Sequence, residues 1–156
     1  NILAPLLEKD QNRISYAVTL AEILTEQNEP GQAINFLQRH LAINPGNNAL
    51  TMAYVDALIE SRAYTSASEA MERHSVSRPN DFQLWYKLAE TQGQAGNISA
   101  VHQARAEYFR LLGDYQRARQ QLRSALKIES DNGIAPAEEA RLRQKIQEIE
   151  KLQQNV

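Results

Sequence analysis

The sequence predicts an all-α protein: a solenoid of helical hairpins, about nine helices, closed by a C-terminal capping helix. Three observations predict it. The turn text Asn44-Pro45-Gly46-Asn47 recurs as Arg78-Pro79-Asn80-Asp81, its prolines 34 residues apart, a period that suits a helix-turn-helix unit. Apolar landmarks keep that register, Ala33 with Ala67, Leu37 with Met71, Leu20 with Tyr54 and Leu24 with Leu58. Finally, no stretch alternates with the two-residue period of a strand, while the 156 residues, 42% hydrophobic and 23% charged, suffice for one ordinary core.

Helices are expected over 1–9, 13–27, 31–43, 47–61, 64–75, 80–95, 98–112, 115–128 and 136–154. Breakers mark most of the boundaries: Asn28-Glu29-Pro30-Gly31, Asn44-Pro45-Gly46, Arg78-Pro79, Gly96-Asn97 and Gly113-Asp114. The first stretch, 1–9, reads as the end of a preceding repeat's second helix, because Leu3 and Leu7 lie one period before Leu37 and Leu41. The text begins at Asn1 without methionine and partway through an apolar pattern, so an excised piece of a longer chain is expected, with an apolar edge at Ile2, Leu3, Leu6 and Leu7. Glu129 to Pro136 reads as a polar connection. The helix after it carries Leu142, Ile146, Ile149 and Val156 on one stripe amid dense charge. Such a stripe suits a cap over the last hydrophobic surface of an array, and a coiled-coil seam is the competing reading.

The 34-residue unit resembles the tetratricopeptide repeat. Trp85 and Leu88 supply its W-x2-L opening, and Phe109 to Ala125 reads F-x3-G-x-Y-x2-A-x3-L-x2-A, the turn and second helix of a unit. These two matches are half a period out of phase, so one helix, 98–112, is expected to serve both. The domain reading is therefore a single tetratricopeptide domain over 1–156. Its parts are a remnant at 1–9, repeats at 12–47, 48–81, 82–112 and 99–130 with the shared helix, and the cap at 136–154.

Several function classes are disfavoured. Seventeen Lys plus Arg against nineteen Asp plus Glu give a net charge of −2, too little to hold a phosphate backbone, so no nucleic-acid partner is expected. No apolar run reaches the roughly 18 residues of a membrane span, and no membrane insertion is expected. Without cysteine there is neither a disulfide nor a thiolate zinc site. The three histidines, His40, His74 and His102, form no H-E-x-x-H motif. His40 and His74 occupy equivalent places where the repeat usually has Ala, yet no third ligand repeats with them, so packing is the expected role and no metal or other cofactor is assigned. Gly93, Gly96 and Gly113 follow no strand and form no phosphate loop. Trp85, Tyr64 and Tyr115 are expected between helices in the core, and Asn97-Ile98-Ser99 is given no role. With no catalytic constellation, no enzyme activity is expected of this chain.

What remains is a surface. Such arrays line a groove with the outward positions of each first helix. In register these are Ser15, Val18, Glu22 and Glu26, then Met52, Asp56 and Glu60, then Gln83, Tyr86, Lys87 and Glu90. The expected partners are proteins or unfolded polypeptide segments. The chaperone-cofactor branch of the repeat family clamps a carboxylate with Lys, Asn and Arg, but Val18, Glu22, Ala53 and Gln83 stand at such places here. A solvated acidic face without a partner is the competing reading.

A narrower resemblance rests on W-Y-K-L-A-E-T-Q-G-Q-A-G-N from Trp85 to Asn97 and A-R-A-E-Y-F-R-L-L-G-D-Y-Q-R-A from Ala104 to Ala118. Together with the half-repeat shift and the final charged helix, 137–153, this text resembles the C-terminal repeat region of periplasmic zinc metalloproteases that enhance β-barrel assembly in Gram-negative bacteria. The resemblance implies a periplasmic location and zinc in the parent's protease domain. It also implies a repeat domain that engages the β-barrel assembly machinery or outer-membrane protein precursors. A generic repeat scaffold or adaptor in a cytoplasmic or secretion complex is the alternative.

Overall fold

A computed structural model describes the backbone of residues 3–154 and the side chains of residues 13–154. Among the described residues every regular element is an α-helix. In order they are α1 (Leu3–Glu26), α2 (Pro30–Ile43), α3 (Asn48–Glu60), α4 (Tyr64–Ser75), α5 (Phe82–Gln94), α6 (Ile98–Leu111), α7 (Tyr115–Asp131) and α8 (Pro136–Gln154). They form two compact units, Asn1–Ser77 with α1 to α4 and Arg78–Val156 with α5 to α8. The fold is all-helical and tetratricopeptide-like, built from antiparallel helix pairs.

One turn geometry recurs four times. At the end of α1, Asn28 takes a left-handed backbone (φ 63°). Its N–H donates to Thr25 O at 3.0 Å, and Glu29 N–H reaches back to Leu24 O at 2.9 Å. The same two bonds close α3 at Arg62 (φ 60°), α5 at Gly96 (φ 80°) and α6 at Gly113 (φ 76°). This is the Schellman arrangement, which satisfies the last carbonyls of a helix while reversing the chain. The following helix is then started by Pro30 at the head of α2, by Asn97 for α6 and by Asp114 for α7. Asn97 and Asp114 accept hydrogen bonds from the N–H groups of Ala100 and Arg117 at 3.3 and 3.0 Å. Asn47 and Asp81 cap α3 and α5 in the same way, each at 3.1 Å.

Packing inherits the register of these turns. Five residues after each left-handed residue stands a small side chain, Ala33, Ala67, Val101 or Ala118, and seven residues before it stands Ala21, Val55, Ala89 or Ala106, all buried. Small side chains on both partners let the paired backbones approach closely. Leu37, Met71 and Leu122 then fill equivalent deep positions, but the corresponding residue of α6 is Arg105, which is exposed. That helix packs on α5 and on α7 alike, so it presents buried side chains to two neighbours.

Three expectations are corrected. The helices expected at 1–9 and 13–27 are one helix, α1, so eight helices are seen among the described residues where about nine were predicted. The intervening Asp10-Gln11-Asn12 contains neither Gly nor Pro and costs only tenths of a kcal/mol per residue in a helix, while Pro5 falls in the first turn, where it is tolerated. The apolar edge expected at Ile2, Leu3, Leu6 and Leu7 lies outside the described side chains. Second, the connection expected from Glu129 is shorter, because α7 continues to Asp131 and ends where Gly133 adopts φ 85°. Third, Trp85 and Tyr64 are half-buried rather than fully enclosed, whereas Tyr115, also half-buried, packs against the core of the second unit. The indole N–H of Trp85 donates to Pro79 O at 2.9 Å, so the side chain fastens the segment before α5.

The terminal helix α8 packs on α7, with Leu142 and Ile149 sharing a buried cluster with Ala106, Ala118 and Leu122. Leu142, Ile146 and Ile149 of its apolar stripe are thus used inside the second unit, while Val156 lies outside the described residues. Charged side chains reinforce it: Lys145 Nζ lies 2.9 Å from Glu107 Oε1 on α6, Arg110 Nε lies 2.7 Å from Glu107 Oε2, and Glu150 meets Arg123 at 3.3 Å. Burial alone would raise the Glu107 carboxyl. The charge of Lys145 and the hydrogen bonds from Arg110 and Lys145 outweigh it and hold the group below its ordinary value of 4.5.

Two tests follow from this packing. Because Trp85 is half-buried, Trp85→Ala should cost about 1 to 3 kcal/mol in denaturant unfolding, less than the roughly 3 to 5 of an enclosed aromatic. A loss above that window would place the indole in the core. For Glu107, a folded value below the unfolded one means that its contribution is complete above pH 4.5 and is lost as pH falls through the lower folded value. Glu107→Gln should therefore destabilise by about 1 to 3 kcal/mol at pH 7. The deficit relative to wild type should shrink in melts run below pH 4.5; a deficit that stays constant with pH would contradict the clasp.

Candidate functional site

The outward positions of the first helices fall where helical spacing places them, one stripe away from the buried one. In the first unit α1 and α3 pack side by side. Helix α1 buries Ala17 and Ala21 and exposes Ser15, Glu22 and Glu26, with Val18 half-buried against the core. Helix α3 buries Leu50, Ala53 and Ala57 and exposes Asp56 and Glu60, with Met52 half-buried. In the second unit α5 buries Leu84 and Leu88, exposes Gln83, Tyr86 and Glu90, and leaves Lys87 half-buried. The structure thus brings together the first seven expected residues on one helix pair and the last four on α5.

The second unit holds an aromatic group that the repeat register alone did not disclose. Tyr86 is 52% exposed and its ring centre lies 5.6 Å from Tyr108 on α6, which also meets Phe82 at 6.4 Å and Phe109 at 5.5 Å. The guanidinium of Arg117 sits 5.1 Å over the Phe109 ring. A partial signal was present, since Phe82 and Tyr86 are four residues apart on one helix face. Tyr108 joins them only because α5 and α6 run antiparallel. The Tyr86 hydroxyl donates to Glu90, and that bond together with the Glu90 charge raises the phenol above its ordinary value.

The histidines have separate surroundings. The ring of His40 lies 4.6 Å from Phe36, Nε2 of His74 is 2.8 Å from Asn48 Oδ1, and Nδ1 of His102 is 2.8 Å from Gln121 Oε1. Among the described residues no group of three or more His, Asp or Glu could hold a metal ion, and no helix is long and apolar enough to cross a membrane. The first-helix faces offer carboxylates, amides and hydroxyls around partly covered apolar side chains. That chemistry suits contact with a polypeptide, whose backbone and mixed side chains need both kinds of group.

A sequence model of the tetratricopeptide repeat matches residues 24–91. The beta-barrel assembly-enhancing protease of Escherichia coli (strain K12) is 27% identical to the chain over 154 residues, covering 97% of this chain and 30% of that protein. The proteins of the same name from Shigella flexneri and Escherichia coli O157:H7 match with the same figures. The chain therefore spans about 30% of the length of the curated relatives it matches. A solved structure described as a MamA RS-1 ArsTM double mutant aligns with 92% of this chain and 98% of its own length, with 12% identity and a TM-score of 0.47. The repeat match covers residues 24–91, and the helical fold of the described residues is tetratricopeptide-like, an architecture whose extended surfaces suit contact with other polypeptides.

Proposed function

We propose that this chain is the protein-binding repeat region of a periplasmic β-barrel-assembly-enhancing zinc metalloprotease. In this reading the first-helix faces hold extended or partly unfolded segments, from outer-membrane protein precursors or from the β-barrel assembly machinery. The observation that carries the reading is the alignment of 97% of the chain with one part of the proteins named beta-barrel assembly-enhancing protease. Zinc and peptide hydrolysis then belong to a protease portion with an H-E-x-x-H motif, which these 156 residues lack. Their own contribution is recognition.

The surface chemistry supports a broad specificity. Met52 is half-buried and flexible, so it adapts to different apolar side chains, and Tyr86 offers a ring with a polar end. Glu22, Asp56 and Glu90 line the same faces and favour segments that carry amides or positive charge. An unfolded segment loses conformational freedom on docking, which holds affinity near the micromolar range, about −8 kcal/mol.

The test is capture by crosslinking. Asp56→Lys with Glu90→Lys should lower capture of outer-membrane protein precursors about tenfold while the helical circular dichroism stays unchanged. Arg39→Glu, on the second helix α2, should leave capture intact. Full capture by the double variant together with loss in Arg39→Glu would move the site off the first helices.

A further inference from the structure

A cavity of about 340 Å³ opens in the first unit, on the side of the second helices. Helices α2 and α4 both pack on α3, and near the α2–α3 turn the space among the three stays open. Its size lies within the ~300 to 1,000 Å³ range of small-ligand pockets. Leu41, Tyr54 and Ala70 supply apolar wall, and Thr51, His74 and Arg73 supply polar atoms. Most of that polarity is already engaged. The Thr51 hydroxyl donates to Asn47 O at 2.8 Å, the Tyr54 hydroxyl accepts from Gln38 at 3.1 Å, and His74 is held by Asn48. Ser77 at the rim donates to His74 O at 3.0 Å. Arg73 differs: it is exposed and joins no salt bridge among the described residues. Among the described residues no carboxylate lines the cavity.

We infer that this cavity binds a carboxylate carried on an apolar body, with the Arg73 guanidinium pairing the carboxylate and the wall of Leu41, Tyr54 and Ala70 covering the rest. A guanidinium fork matches a carboxylate in two parallel hydrogen bonds. The apolar wall selects against a compact, fully hydrated anion such as phosphate, which gains nothing from it. The sequence marks the place in retrospect, since Arg39-His40 on α2 recurs as Arg73-His74 on α4. The second pair lines the cavity, with α2 and its turn forming the opposite wall through Leu41, Pro45 and Gly46. The site lies away from the first-helix faces and does not depend on how those faces are used.

The experiment is titration calorimetry on the chain with 3-phenylpropionate, its neutral amide, inorganic phosphate, and a short apolar peptide with a free or amidated C-terminus. The free acid should bind at least tenfold more tightly than its amide and than phosphate. Arg73→Gln should remove that preference, Ala70→Leu should weaken the acid by filling the cavity, and the repeat-equivalent Arg39→Gln should change nothing. Tighter binding of the free-carboxylate peptide than of the small acid assigns the site to a chain terminus, and the reverse assigns it to a small organic acid. Both results uphold the pocket. Equal binding of acid and amide, unchanged binding in Arg73→Gln, phosphate binding as tightly as the acid, or no binding of any probe overturns the proposal.

Discussion

The structure depends on a reversal in which one residue accepts a left-handed backbone so that the next helix can fold back on the last. Asn28, Arg62, Gly96 and Gly113 all do this, with the same pair of backbone bonds. The first three are spaced by 34 residues and the fourth follows after half that interval. Reversal fixes the rotation of the next helix about its axis, which decides the side chains that meet. The small residues flanking each turn, Ala21 and Ala33, Val55 and Ala67, Ala89 and Val101, Ala106 and Ala118, are buried as a consequence. For an L-residue with a Cβ, the left-handed conformation costs roughly 1 to 2 kcal/mol. Arg62 bears that cost, which indicates how strongly the surrounding packing determines the turn.

The same constraint sets which side chains the first helices expose. Once each hairpin is set, first helices bury one stripe and expose the next, where Glu22, Asp56, Tyr86 and Glu90 stand. The half-interval between Gly96 and Gly113 changes the role of α6. It packs as the partner of α5 and again as the partner of α7, and its exposed Arg105 stands where other second helices bury Leu or Met. The α6 side chain Glu107 then receives Lys145 from α8, so the half-step also provides the anchor for the last helix.

Much of the fold was legible because turns of this kind have strong local signatures. Gly96-Asn97 and Gly113-Asp114 join a left-handed position to an N-cap in two letters, and Asn44-Pro45-Gly46-Asn47 does nearly the same before α3. Where the signature is weak the reading failed: Asp10-Gln11-Asn12 resembles a loop in composition, but nothing there obliges a helix to end. Trp85 shows a second limit. Its position in the repeat was readable, whereas its exposure depends on how the segment around Pro79 passes over it. The candidate surface was legible in part, since exposure of Asp56 or Glu90 follows from helical spacing alone. The meeting of Phe82, Tyr86 and Tyr108, and the cavity beside Arg73, required the partner helices to be placed.

The most direct test of this account compares alanine substitutions at two glycines whose added Cβ would meet nothing within 4 Å, Gly113 in the left-handed turn and Gly31 in the first turn of α2. Open space at both removes steric clash from the comparison and leaves backbone conformation as the difference. If reversal through a left-handed residue governs the fold, Gly113→Ala should lose about 1 to 2 kcal/mol in denaturant unfolding, while Gly31→Ala should gain about 0.4 to 1 kcal/mol. A neutral or stabilising Gly113→Ala would contradict the account.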